Sequence, residues 1–204
     1  MGLFKRKAPL KYDRPRDESV SQVFKKGDTM TKLSFLVFGI GNIVNKQVVR
    51  GLIFLALEIL YFVYMIIFGI SSIGDFITLG TAEQAQVYNE ALGIYEYSVG
   101  DNSMLCLLYG VITIVLTVGI IFTACMSAKS AYCTQVRKAK GQNIPTFMDD
   151  IRSLKEENLH AFLLTFPIIG ILVFTIVPLV FMILIAFTSY DHEHQPPGTL
   201  FSWV

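Results

Sequence analysis

Two stretches of this chain contain no lysine or arginine: residues 75–102 and everything after Tyr190. Charge of either sign is scarce, at 16% of residues, well below the quarter or so of an ordinary soluble domain. That shortage, with 53% hydrophobic residues and a mean hydropathy of +0.54, excludes a conventional soluble fold. Cysteine occurs three times, at Cys106, Cys125 and Cys133, at no spacing that suits a metal or a redox pair. These are expected to be small buried hydrophobes. No glycine-rich loop leads into Lys and Ser or Thr; Gly69 to Gly74 has the first spacing but runs into Asp75, so this chain is not expected to hydrolyse ATP. His192-Glu193-His194 has the look of a metal tract, yet no third ligand accompanies it and Pro196, Pro197 and Gly198 follow. No metal, cofactor or nucleic acid is expected, and no catalytic set of Ser, His and Asp is brought together, so an enzyme is not expected.

What the chain does have is three long apolar runs, with spans at residues 50–74, 103–127 and 161–190. Each supplies the 20 or so residues that a helix needs to cross about 30 Å of hydrocarbon. The first lies too deep in the chain for a cleaved signal peptide. The expected fold is all-α and integral to the membrane: three transmembrane helices, a short interfacial or re-entrant helix and a cytoplasmic amphipathic helix.

The placement of positive charge sets the orientation. Eleven of the seventeen Lys and Arg residues precede the first run, from Lys5 to Arg50, and the other six lie between the second and third, from Lys129 to Lys155. The segment 75–102 carries Asp75, Glu83, Glu90, Glu96 and Asp101 and nothing to balance them. By the positive-inside rule, residues 75–102 and 191–204 are external and the N-terminus is cytoplasmic, in a cell membrane crossed three times.

Between the runs, residues 1–30 mix charges with Pro9 and Pro15 and few large apolar residues, the composition of a flexible basic tail. Residues 31–46 are apolar but too short to span and are interrupted by Gly39 and Gly41. With Lys32 and Lys46 at either end, the segment is expected to lie along the interface or to dip in and return. In the cytoplasmic loop 128–160, residues 146–160 read as an amphipathic helix, with Pro145, Thr146 and Asp149 opening it and Phe147, Ile151, Leu154 and Phe162 on one face. Glu58 is the acidic residue inside a span, where pairing with a neighbouring helix, or staying protonated at modest depth, is favoured over an ion relay. Thr113 and Thr117 read as helix-packing hydroxyls. The third run holds Pro167 and Pro178, which predict a kink and protein neighbours to take the freed carbonyls.

At this third run the residues resemble a known family. Phe162-Leu163-Leu164 with Pro167, then Phe174, Pro178-Leu179 and Ala186-Phe187-Thr188-Ser189-Tyr190 resemble the opening transmembrane helix of binding-protein-dependent ABC sugar permeases. Phe201-Ser202-Trp203-Val204 looks like the start of the segment that follows it there. The order of basic tail, short segment, two extra spans and this helix resembles the larger maltose and maltodextrin permease subunit (MalF type) of Gram-positive bacteria. The resemblance implies a half-pore subunit of a maltodextrin importer, working with a second permease subunit, cytoplasmic ATPase subunits and an extracellular sugar-binding lipoprotein. It covers only the first half or so of such a subunit, so the segment 191–204 is expected to be truncated and substrate-contacting residues to lie beyond it. Pro167 and Pro178 are the residues expected to shape the core helix, with Glu58 a further candidate. The competing reading is a self-contained three-span accessory or assembly protein without transport activity.

Overall fold

The computed structural model describes residues 19–90, 92–98, 100–156, 159–194 and 200–204, without the side chains of residues 150, 153–156, 161 and 162. The first eighteen residues of the expected tail, residues 157–158 of the expected amphipathic helix, and Pro196, Pro197 and Gly198 lie outside the described residues. So do the side chains of Leu154 and Phe162.

The described chain is mostly helical. It begins with α1 (Val20–Lys26), α2 (Thr29–Leu33) and α3 (Ile40–Val44). A first membrane-length helix follows, Val48–Thr78, made of α4 (Val48–Tyr64), a π-helical turn at Met65–Gly69 and α5 (Ile70–Thr78). A two-stranded antiparallel hairpin, β1 (Gln86–Asn89) and β2 (Ile94–Tyr97), separates it from α6 (Ser103–Ala139). Beyond α6 lie α7 (Phe147–Glu156), α8 (Leu159–Ile171), a second π-helical turn at Leu172–Ile176, and α9 (Val177–Ile185).

Three of these helices are long and apolar enough to cross a bilayer: Val48–Thr78, Ser103–Ala139 and Leu163–Ile185. At about 1.5 Å per residue, the 37 residues of α6 exceed what about 30 Å of hydrocarbon requires. Its last turns, with Lys129, Arg137 and Lys138, therefore continue past the apolar run.

Local chemistry explains the shorter elements. Ser19 caps α1, its Oγ accepting the Gln22 N–H at 3.4 Å, and Asp28 caps α2, its Oδ1 accepting the Thr29 N–H at 2.9 Å. Composition places residues 20–26 in the flexible tail, yet they form α1 with Val23 buried. The cap and the apolar spacing Val20, Val23, Phe24 outweigh the polar average of their surroundings. The π-helical turn of the third membrane-length helix closes with the Val177 N–H on the Leu172 carbonyl, one residue before Pro178. A regular α-helix would press that proline ring against the carbonyl four residues back; the wider turn relieves the clash.

Contacts divide the chain into two compact units. One unites the residues up to Ala56 with Thr123–Phe147; its apolar centre is Val23, Ala128 and Tyr132, with Phe35 and Val136 against it. The other unites Leu57–Phe122 with Met148–Val204; its centre is Leu79, Leu107 and Phe201, flanked by Phe76, Met104, Phe181, Leu184, Ile185 and Trp203. In this second unit the last described residues pair back on the end of the third helix, Ser189 N–H to Ser202 O at 2.8 Å and Val204 N–H to Phe187 O at 3.0 Å. The Trp203 indole N–H is shared by the Phe76 and Ile77 carbonyls at 3.2 and 3.1 Å, and its ring meets Phe76 edge to face.

Candidate functional site

The first unit is held by a polar seam. Residues 28–50 supply Thr31, Ser34, Asn42, Asn45 and Gln47, all buried, and α6 answers with Ser127, Ser130, Thr134 and Gln135. These α6 positions recur at the spacing of one helix face. Ser127 Oγ accepts the Gly39 N–H at 2.8 Å, and Gln135 Oε1 accepts from Thr31 Oγ1 at 2.8 Å and from the Asp28 N–H at 3.0 Å. Arg50 donates to Ser130 Oγ at 3.2 Å, and Ser130 in turn donates to Asn42 Oδ1 at 3.2 Å. Gln47 spans both partners: its Nε2 donates to the Pro145 carbonyl at 3.0 Å and its Oε1 lies 2.9 Å from Thr134 Oγ1.

Glycine lets this seam close. Gly39 has φ +79°, and a Cβ placed on it would fall on the Gly51 carbonyl; one on Gly41 would come within 2.6 Å of Ala131 Cβ. Backbone thus approaches backbone as only glycine permits.

In the second unit Glu58 is buried, 8% exposed, on the stretch of α4 that also carries Tyr61 and Tyr64. The Tyr61 hydroxyl meets Thr117 Oγ1 at 2.9 Å and the Tyr64 hydroxyl meets Thr113 Oγ1 at 2.8 Å. Each threonine also donates within reach of the carbonyl four residues back. The two threonines are packing hydroxyls, joining α4 to α6 by bonds that an apolar solvent cannot replace.

The loop ahead of α6 is organised by Asp101. Its Oδ2 accepts the N–H groups of Thr81 and Ala82 at 2.8 and 2.9 Å, and these bonds hold its carboxyl below the usual aspartate range. A lowered pKa places the stabilisation above the ordinary aspartate value, and it is lost as the pH falls through the folded value. Acidification through that range is expected to release residues 81–82, read as faster amide exchange there, while the helical amides of α6 keep their protection.

His192-Glu193-His194 is engaged in its own turn: Asp191 Oδ1 accepts the N–H groups of Glu193 and His194 at 2.9 and 2.8 Å and meets His194 Nδ1 at 2.7 Å.

Pro167 lies within α8 and Pro178 in the first turn of α9, both on the third membrane-length helix. None of that helix's most apolar stretch is buried within the chain. Exposed residues run along it, Phe166, Ile169, Phe174, Leu179 and Met182 among them. Pro167 and Pro178 are both exposed, whereas Glu58 is buried on α4. The structure joins residues that the sequence reading had not paired: the glycines and amides of residues 39–47 with the hydroxyl face of α6. Serine, alanine and threonine at positions 127, 130, 131 and 134 were the one available signal.

Three apolar membrane-length helices, the first two joined by hydroxyl pairs, define a multi-pass helical membrane protein. Its curated homologues are permease proteins of oligosaccharide transport systems. The maltodextrin transport system permease protein MalC of Streptococcus pneumoniae is 27% identical over 181 residues, 88% of this chain and 38% of that protein. The maltodextrin permease protein MdxF of Bacillus subtilis is 27% identical over 186 residues, 88% of this chain and 39% of that one. The galactooligosaccharides permease protein GanP of Bacillus subtilis is 29% identical over 179 residues, 83% and 37%. The chain thus spans less than two-fifths of the length of the curated relatives it matches. No family model matches it, and no solved structure does. The homologues favour the permease reading over the self-contained accessory protein.

Proposed function

We propose that this chain is part of a membrane-spanning permease subunit of an ABC importer for maltodextrin or a related oligosaccharide, contributing to the translocation pore. The observation that carries the reading is similarity along 88% of the chain to two maltodextrin permease proteins. The third membrane-length helix supports it: a helix with two prolines and no buried apolar stretch calls for protein neighbours that take the freed carbonyls. A second permease subunit and the remainder of such a subunit fit that need. ATP hydrolysis belongs to separate cytoplasmic subunits, and an extracellular lipoprotein delivers the sugar. The N-terminus is cytoplasmic, on the charge pattern alone, and α2 and α3 lie at the cytoplasmic interface.

The chain's residues act here by positioning. The polar seam fixes residues 28–50 on α6, the Tyr–Thr pairs fix α4 on α6, and Pro167 and Pro178 shape the core helix. Glu58 serves packing and not ion relay; Glu58→Gln is expected to leave oligosaccharide uptake within about threefold of wild type, less than 1 kcal/mol of coupling, with normal membrane insertion. Loss of uptake by an inserted variant contradicts this role. The function itself is tested by uptake of labelled maltodextrin and galactooligosaccharide in cells with and without the intact gene. Loss of uptake of either sugar on deletion, restored by the gene, is expected; unchanged uptake of both contradicts the proposal.

A further inference from the structure

Folding gathers the positive charge of the first unit onto one body. Val23 packs with Ala128 and Tyr132, and Gln135 Oε1 takes both the Asp28 N–H, 107 residues away in sequence, and the Thr31 hydroxyl. Residues 23–31 therefore lie along the last turns of α6, and Lys25, Lys26 and Lys32 share a body with Lys129, Lys138 and Lys140. All six are exposed. Among the described residues of this unit, nine cations stand against a single carboxylate, Asp28, whose Oδ1 is taken up in capping α2. The two arginines of the unit, Arg50 and Arg137, are partly buried, so the outward charge is lysine. Large apolar side chains stand among these lysines: Phe24 is 57% and Leu36 73% exposed, and the Lys32 ammonium sits 6.0 Å from the Phe24 ring centroid. Glycine sets the depth. Gly39 lies against Gly51 in the first turn of the first membrane-length helix, and its N–H bonds Ser127, where the apolar run of α6 ends. The unit thus stands at the level where two spans leave the hydrocarbon.

We infer that this unit is a binding surface for anionic phospholipid headgroups, its lysines on the phosphates and Phe24 and Leu36 in the acyl boundary beneath them. The inference rests on the interfacial placement of α2 and α3 proposed above and adds the chemistry of the lipid they meet. Charge complementarity selects the occupant: an anionic lipid surface is negative by its own composition, and each lysine near it adds to the attraction. Exposed apolar side chains beside lysine suit the same boundary, since ring and aliphatic stem lie below the headgroups while the ammonium stays among them. An acidic protein fits less well. Protein interfaces are depleted in lysine and anchored by arginine and aromatic residues, and here both arginines are partly buried. A soluble phosphate compound is best gripped by the arginine fork, and it would leave Phe24 and Leu36 in water, where a bilayer would cover them.

The test uses the complete protein in nanodiscs of phosphatidylcholine with a minor fraction of phosphatidylglycerol. Spin-labelled lipid of each headgroup reads association at the protein surface. The wild type is expected to hold the phosphatidylglycerol label about threefold more strongly than the phosphatidylcholine label, with the preference collapsing in about 1 M salt. Lys25→Gln with Lys32→Gln, Lys129→Gln and Lys138→Gln is expected to lower the preference about twofold or more. Lys→Arg at the same four positions keeps the charge and is expected to keep the preference. A photoreactive p-benzoylphenylalanine in place of Leu36 gives a second readout that does not depend on the lysine variants folding. Lipid adducts are expected, with phosphatidylglycerol over-represented relative to its share of the bilayer. Adducts in proportion to the lipid mixture, or a preference unchanged in the glutamine variant, overturn the inference and leave the interfacial placement standing. A preference abolished by pyrophosphate at constant ionic strength assigns the surface to soluble phosphates and also overturns it. Adducts with protein alone overturn both the inference and the placement. Oligosaccharide uptake, which tests the permease reading, is measured separately and does not depend on any of these results.

Discussion

Gly39→Val is expected to release residues 29–47 from α6 and to raise tryptic cleavage after Lys32 and Lys46 in the detergent-solubilised protein by about a hundredfold. Two costs add. Valine at φ +79° is a strained backbone state of about 1–3 kcal/mol, and its Cβ would fall on the Gly51 carbonyl, an overpacking cost of similar size. A total near 3 kcal/mol corresponds to the hundredfold change in the open population. Gly119→Val, where nothing lies within 4 Å of an added Cβ, is the control and should leave cleavage unchanged. Equal cleavage of wild type and Gly39→Val would show that this close approach does not hold the segment.

Gln47→Ala is the second large effect. Gln47 is 6% exposed and is bonded on both ends of its amide, to the Pro145 carbonyl at 3.0 Å and to Thr134 Oγ1 at 2.9 Å. Its removal strands the Pro145 carbonyl in a buried seam and takes one of the two acceptors from the Thr134 hydroxyl, at a cost of about 2 kcal/mol. Thr134→Val alone is expected to cost less, because its other contact is with the Ser130 carbonyl in its own helix. In thermal unfolding the double variant should be no worse than Gln47→Ala by more than a few tenths of a kcal/mol, the non-additivity of residues that share a bond. Fully additive losses would contradict the pairing.

The membrane-length helices were legible because lipid imposes length and apolarity as absolute requirements. Residues 48–78, 103–139 and 163–185 satisfy them on composition alone. Their ends were less so: α6 continues to Ala139, twelve residues past the run expected to end at 127, because its last turns are held by the seam and not by lipid. That seam was illegible, since Gly39 with Ser127 and Gln47 with Thr134 lie almost ninety residues apart. What could be read was that residues 31–46 are too short to span and are broken by glycine; what the glycines serve needed the partner helix. Composition reads the hairpin as loop, although Tyr95 and Tyr97 alternate and Gly93 precedes them at φ +65°, a turn signal between short strands. Near one of the prolines, a π-helical turn at Leu172–Ile176 ends two residues before Pro178. The matching turn at Met65–Gly69 has no proline to announce it.

Bilayer placement with every cationic stretch on one side underlies both the topology and the permease function proposed above. Single cysteines at Tyr95 and at Lys140, each in a chain with Cys106, Cys125 and Cys133 replaced by serine, test it in intact cells with a membrane-impermeant maleimide. Labelling at position 95 without permeabilisation, and at position 140 only after it, is the expected result. Labelling at position 140 in intact cells, with position 95 protected, would contradict the topology and the permease reading built on it.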